Sequence, residues 1–189
     1  LYYNVLAFYE LYRDRNLEKN GKPKSKNILD IWILEKLDEL VASMTENLDN
    51  YKLLEPARAL RDFIGDLSTW YLRRSRERIK DGDTEAEQTL YFVLKTIAKL
   101  MAPFAPFTAE DVWQKLKNDR DEESVHLVLW PKKEKKWFSF SKSKVISEME
   151  TVRSVVTLGL EARQKAVIQV RQPLASIKLK IKLADEYLE

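Results

Sequence analysis

Asp62-Phe63-Ile64-Gly65-Asp66-Leu67-Ser68-Thr69-Trp70-Tyr71-Leu72-Arg73-Arg74-Ser75-Arg76-Glu77-Arg78 is the stretch from which the rest of this chain is best read. Its apolar residues recur at helical spacing and run directly into an aromatic pair and four arginines. A helix that ends this way is built to meet a polyanion. Guanidinium groups offer a planar fork of donors matched to phosphate, and the faces of Trp70 and Tyr71 are surfaces on which unpaired bases stack. The bland alternative is a helix whose arginines pair with acids on neighbouring helices.

Working outward, the surrounding sequence is helical. Leu1, Val5, Phe8 and Tyr12 fit a short helix, and residues 20–26 form a basic loop. Asn27 is placed to cap a long helix whose face is Leu29, Ile33, Leu37, Leu40, Val41, Met44, Leu48 and Tyr51. The arginine-bearing helix begins near Glu55 and Pro56, carries Leu60, Phe63, Ile64, Leu67 and Tyr71, and ends near Asp81 and Gly82. Thr84 with Glu87 reads as a capping box for a helix bearing Leu90, Val93, Leu94, Ile97 and Met101, which Pro103 and Pro106 stop. Thr108 is expected to cap a short helix with Val112, Trp113 and Leu116.

Beyond it, residues 124–131 read as extended chain lying across the bundle, and a last helix from Ser141 or Ser143 to Arg163 shows Val145, Met149, Val152, Val156 and Leu160. The period then changes to two. Ile177, Leu179 and Ile181 alternate with Lys178, Lys180 and Lys182, which predicts a half-buried strand, with residues 167–170 as its hairpin partner. The expected division is a linking helix and basic loop at 1–26, a helical domain at 27–163 and the start of a small β-containing subdomain at 164–189.

Composition narrows the function. The 189 residues are 44% hydrophobic and 33% charged, with four glycines and six prolines, as expected of a well-filled helical globule. A net charge of only +3 places the argument on charge distribution. Residues 72–80 carry five bases against one acid, 131–144 six against one and 163–182 six against none, while 81–123 carry ten acids against five bases. That asymmetry predicts a basic face and an acidic face. No cysteine is present, so disulfides, thiol nucleophiles and cysteine-held zinc are excluded, and a cytoplasmic setting is expected. The single histidine, His126, cannot form a histidine pair, and no apolar run approaches the roughly 18 residues of a membrane span. With no initiator Met or leader-like segment, the sequence reads as part of a longer protein.

Five blocks then carry a resemblance: residues 27–34, Asn-Ile-Leu-Asp-Ile-Trp-Ile-Leu; the Asp66–Arg78 run; residues 100–107, Leu-Met-Ala-Pro-Phe-Ala-Pro-Phe; Ser124-Val125-His126-Leu127 with Trp130-Pro131; and residues 170–174, Val-Arg-Gln-Pro-Leu. In this order they resemble the anticodon-binding domain of isoleucyl-tRNA synthetases; the valine and leucine enzymes share versions of several blocks. The resemblance implies a mainly α anticodon-binding helix bundle of the class Ia enzymes with a small β element at its C-terminal end. It also implies a partner, the anticodon stem-loop of tRNA(Ile), and a catalytic domain elsewhere in the parent chain. No membrane association is expected, and the parent is expected to be a monomer. The family's ATP-binding core needs a His-x-Gly-His element, which one histidine cannot supply. ATP with Mg is therefore expected only in that absent core, and this segment is expected to hold no cofactor, metal or catalytic residue. Lys22-Pro-Lys-Ser-Lys26 only faintly resembles the family's Lys-Met-Ser-Lys-Ser loop and reads as a basic linker.

The RNA-binding candidates are Trp70, Arg73, Arg74, Arg76, Arg78, Lys80, Lys132, Lys133 and Arg171. On an uninterrupted helical wheel Arg74 and Arg78 continue the apolar stripe and turn toward the bundle, where acids such as Asp62 or Asp66 could pair with them, while Arg73, Arg76 and Lys80 face outward. Trp32 and His126 read as packing residues. The rival readings are the equivalent valine-enzyme domain and a non-catalytic helical interaction domain whose arginines are spent on internal salt bridges.

Overall fold

Asn27 begins the first long element as its sequence predicts. Its side-chain oxygen accepts the Leu29 amide at 3.0 Å, and α2 then runs Ile28–Asp49. The computed structural model describes residues 1–14, 17, 21–132, 144–176, 178 and 179. Within them α1 spans Tyr2–Tyr12, α3 Leu54–Asp66, α4 Arg73–Lys80, α5 Thr84–Met101, α6 Pro106–Leu116 and α7 Lys144–Lys165. The chain divides into two compact units, Leu1–Lys136 and Trp137–Glu189.

In the first unit α5 is the central post and contacts α1, α2, α3, α4 and α6. Its Leu90, Val93, Leu94, Ile97, Ala98 and Leu100 are fully buried, so the post is apolar around most of its circumference. Polar tips of core aromatics find backbone partners: the Tyr2 hydroxyl donates to the Leu94 carbonyl at 2.7 Å, and the Trp113 indole to that of Glu122 at 3.0 Å. Trp32 is buried, as its packing reading expects.

α3 and α4 are one continuous helical rod joined by a π-helical segment, Leu67–Leu72. Thr69 donates its hydroxyl to the Gly65 carbonyl at 2.8 Å just where the wider turn begins. A π turn inserts about one extra residue, which rotates everything beyond it by roughly 100°. The buried series is therefore Leu60, Phe63, Leu67, Tyr71, Ser75 and Ile79. The uninterrupted wheel brought Arg74 inward instead; the structure leaves Arg74 exposed. The rod closes where expected. Gly82 adopts a left-handed φ of 84°, its amide bonds the Ile79 carbonyl at 3.2 Å, and the Asp83 amide bonds that of Arg78 at 3.0 Å.

Several local expectations are corrected. Asp83, not Thr84, caps α5 by accepting the Ala86 amide at 3.0 Å, because the chain has already turned at Gly82. Pro106 opens α6 rather than only ending α5, and Thr108 lies inside the helix it was expected to cap. Leu1, Tyr12 and Tyr51 are exposed; Tyr51 follows the end of α2 with a φ of 57°. Residues 125–127 form one 3₁₀ turn before the chain becomes extended, and His126 is exposed rather than packed.

In the second unit α7 buries Ile146 and Met149, while Leu160 of the expected face is exposed. The small β element is not present among the described residues. Residues 167–170 are turn and irregular chain rather than strand: Val167 has a φ of 55°, its amide bonds the Gln164 carbonyl, and the Ile168 amide bonds that of Arg163. Ile177 and residues 180–182 of the alternating run lie outside the described residues.

Candidate nucleic-acid interface

The arginine face is held in place by a buried charge in the first turn of α2. Asp30 is fully buried, and its carboxylate accepts two N–H donors from Arg78, Nη1 at 3.2 Å and Nη2 at 2.9 Å. This forked pairing fits the planar guanidinium and the planar carboxylate together. The Tyr71 hydroxyl donates to Asp30 Oδ1 at 2.8 Å, and Ser25 Oγ lies 2.7 Å from both Asp30 Oδ2 and Glu85 Oε2. One hydroxyl proton serves only one of those two carboxylates. Arg78 Nε donates to Asp83 Oδ2 at 2.9 Å, so a single guanidinium ties the end of α4 to the starts of α2 and α5.

The protonation states follow from the same geometry. Burial pushes the Tyr71 phenol well above its usual value, with the Asp30 charge adding to it, so Tyr71 stays a neutral donor. Burial alone would lower Arg78, but the Asp30 and Asp83 carboxylates outweigh it and hold the guanidinium charged. The acids expected for such pairing were Asp62 and Asp66. They pair with Arg61 and Lys36 instead.

With Arg78 turned inward, the outer surface of α4 carries Arg73, Arg74, Arg76 and Lys80, all exposed. Arg73 has no ion pair among the described residues. The Arg74 guanidinium lies 3.5 Å from the centre of the Trp70 ring, so the two planar groups stack, and Arg76 lies 5.2 Å from the Phe8 ring. Lys80 pairs with Glu77 at 2.9 Å. Chemically this surface offers guanidinium donors for phosphate oxygens and one Arg–Trp stack whose flat groups can extend onto a base.

The remaining candidates lie elsewhere. Lys132 is exposed at the end of the extended segment, which Trp130 pins to α2 by donating its indole N–H to Thr45 Oγ1 at 2.9 Å. Lys133 lies outside the described residues. Arg171 is exposed in a turn of the second unit, where Arg163 Nη1 donates to the carbonyls of Gln169 and Gln172, both at 2.9 Å. Sequence reasoning missed Asp30 as the anchor. Its signal was available: a carboxylate in register with Ile33, Leu34 and Leu37 on an apolar face.

The family profile described as the anticodon-binding domain of tRNA ligase matches residues 30–180. The chain belongs to this family. Both the α2 anchor at Asp30 and the arginine-bearing rod lie within the match. Similar proteins include the isoleucine–tRNA ligase of Clostridium novyi (strain NT), 39% identical over 98% of this chain and 19% of the relative. Others are those of Dehalococcoides mccartyi (strain CBDB1), 37% identical over 94% and 18%, and Streptomyces avermitilis, 37% identical over 92% and 17%. The chain spans about a fifth of the length of the curated relatives it matches. Among the described residues of this anticodon-binding domain, no helix is long and apolar enough to cross a membrane, and no group of three metal-ligating side chains occurs.

Proposed function

We propose that this domain binds the anticodon arm of an isoleucine tRNA as part of an isoleucine–tRNA ligase. The observation that carries the reading is the exposed Arg73, Arg74 and Arg76 surface, oriented by the buried Arg78–Asp30 pair and flanked by the Trp70 stack. The relatives bearing the isoleucine–tRNA ligase name support the choice of amino acid. Phosphate contacts by the outward arginines fix the register of the RNA, and stacking on Trp70 and Arg74 holds an unpaired base. Lys80, Lys132, Lys133 and Arg171 extend the basic surface.

Attachment of isoleucine to tRNA is assigned to a catalytic domain elsewhere in the parent chain, and ATP with Mg to that domain. Binding of the anticodon arm here orients the distant acceptor end toward that catalytic domain. The parent is proposed to work as a cytoplasmic monomer, with residues 164–189 opening a further small β-containing subdomain.

Titration of the chain against isoleucine tRNA, and against the same tRNA with its anticodon replaced, tests the proposal. Preference for the native anticodon, lost on combining Arg73→Ala with Arg76→Ala, is the expected result. Equal affinity for both would reduce the surface to a generic basic patch, and no binding would favour a helical interaction domain.

A further inference from the structure

The C-terminal half of α5 carries Lys95 and Lys99 one turn apart, and both amines approach the same buried ring. Lys95 Nζ lies 5.2 Å and Lys99 Nζ 5.6 Å from the centre of the Trp113 indole. Their polar partners differ. Lys95 pairs with Asp121 and donates to the Tyr91 hydroxyl at 3.1 Å. Lys99 is half-buried, yet its amine has no ion pair or hydrogen bond among the described residues. The other half-buried lysines among those residues each have a polar partner: Lys22 has Asp38, Lys36 has Asp66 and Lys117 has the Glu123 carbonyl.

Lys99 also lines a cavity of about 260 Å³ with Pro103, Val125, Val128, Leu129 and Trp130. The Trp130 wall is fixed, because its indole N–H donates to Thr45 Oγ1 at 2.9 Å. An unpaired amine thus stands at a mostly apolar cavity with a second cation beside it. We propose that Lys99 is a covalent modification site, accepting a short acyl group on Nζ from an acyl phosphate or an acyl thioester. This goes beyond RNA binding and does not depend on it.

An ammonium has no lone pair, so only the neutral amine attacks a carbonyl carbon. Desolvation against apolar walls and a neighbouring cation are the two conditions that free a lysine amine near neutral pH. The charged groups acting on Lys99 are Lys95 of α5 itself and Asp121 beyond α6, and His126 of the 3₁₀ turn lines the cavity. Burial first, and then the Lys95 cation, hold the Lys99 amine below its ordinary value; Asp121 acts against them but is engaged by Lys95. In the acyl transfer the Nζ lone pair forms the new bond to the acyl carbon. The C–O or C–S bond breaks, phosphate or thiolate leaves with the electron pair, and the surplus amine proton passes to water. The amide product is uncharged, so it ends the burial of an unpaired cation and sets its methyl group among the apolar side chains of the cavity.

The test exposes the intact chain near neutral pH to acetyl phosphate and, separately, to acetyl-coenzyme A, and follows each lysine over time by peptide mass spectrometry. Lys99 is expected to acetylate about five-fold faster than the exposed Lys52 and Lys132, and the difference should vanish in urea, where every amine is solvated. Lys95→Met removes the neighbouring cation and frees Asp121 to pair with Lys99. It should slow acetylation of Lys99 about five-fold, with circular dichroism confirming the fold. Preferential modification by one donor alone supports the site and identifies the source of the acyl group. Equal rates at Lys99 and the exposed lysines with both donors overturn the inference. So does a preference that persists in urea, or one that Lys95→Met leaves unchanged.

Discussion

Arg78 and Asp30 face each other across the α2–α4 contact with two donor–acceptor distances of 3.2 and 2.9 Å, the carboxylate fully buried and the guanidinium a quarter exposed. This pair converts a candidate RNA-contacting arginine into the bolt that orients its neighbours. Arg78→Ala leaves a buried carboxylate with only Tyr71 and Ser25 for partners, and should cost about 3 kcal/mol in urea denaturation. Arg78→Lys should recover little of it, since an ammonium cannot reproduce the fork and cannot also reach Asp83.

The π segment makes a prediction that an uninterrupted helix reverses. Ile79 is buried and Arg74 exposed, so Ile79→Ala should destabilise by about 2–4 kcal/mol, whereas Arg74→Ala, at an exposed position stacked on Trp70, should cost under about 1 kcal/mol. Were the rod a regular α-helix through residue 80, residue 74 rather than 79 would be the sensitive position. Paired chemical denaturation curves separate the two registers.

Asp83 links the fold to pH. Burial would raise its carboxyl, but the Ala86 amide and the Arg78 guanidinium outweigh that and hold it below the ordinary carboxylate range. A depressed folded-state value means its stabilisation is complete above the unfolded value, about 3.9, and is lost as pH falls through the folded one. Asp83→Asn keeps a capping oxygen and removes the charge. The variant should therefore lose less stability than the parent on acidification below about pH 4, measured by urea midpoints across a pH series.

At the end of α7 a β-branched residue occupies a left-handed position. Val167, with a φ of 55°, is the residue around which the Arg163–Ile168 and Gln164–Val167 bonds close the helix, and its side chain is exposed. Replacing it with glycine removes the clash of its Cβ and should stabilise this helix end by about 1 kcal/mol. Val167→Ala should gain much less. Hydrogen exchange at the Val167 and Ile168 amides reads the difference.

On the arginine face, phosphate contacts have an ionic-strength signature. Each lost contact should reduce the slope of log affinity against log salt by about 0.7–0.9, so Arg73→Ala with Arg76→Ala should flatten it by roughly 1.5. Arg78→Ala, assayed at a temperature where the variant remains folded, removes no phosphate contact of its own and should flatten the slope less than the double variant.

The sequence by itself determined the helices, most of their boundaries and the clustering of arginine on one rod. Apolar spacing, the Asn27 cap and the Gly82 turn are local instructions that act within a few residues. It also carried the family, through blocks spread from residue 27 to 174. Tertiary structure decided which arginine faces where. A 3.6-residue wheel carries no record of one extra residue at 67–72, and that insertion turned Arg74 outward and brought Ser75 and Ile79 into the core. Tertiary structure also chose Asp30 over Asp62 and Asp66 as the partner of Arg78, because that pairing joins residues 48 positions apart and depends on how α2 and α4 pack. Likewise the Trp130 indole reaches Thr45, 85 residues earlier, and no local pattern encodes contact at such separation.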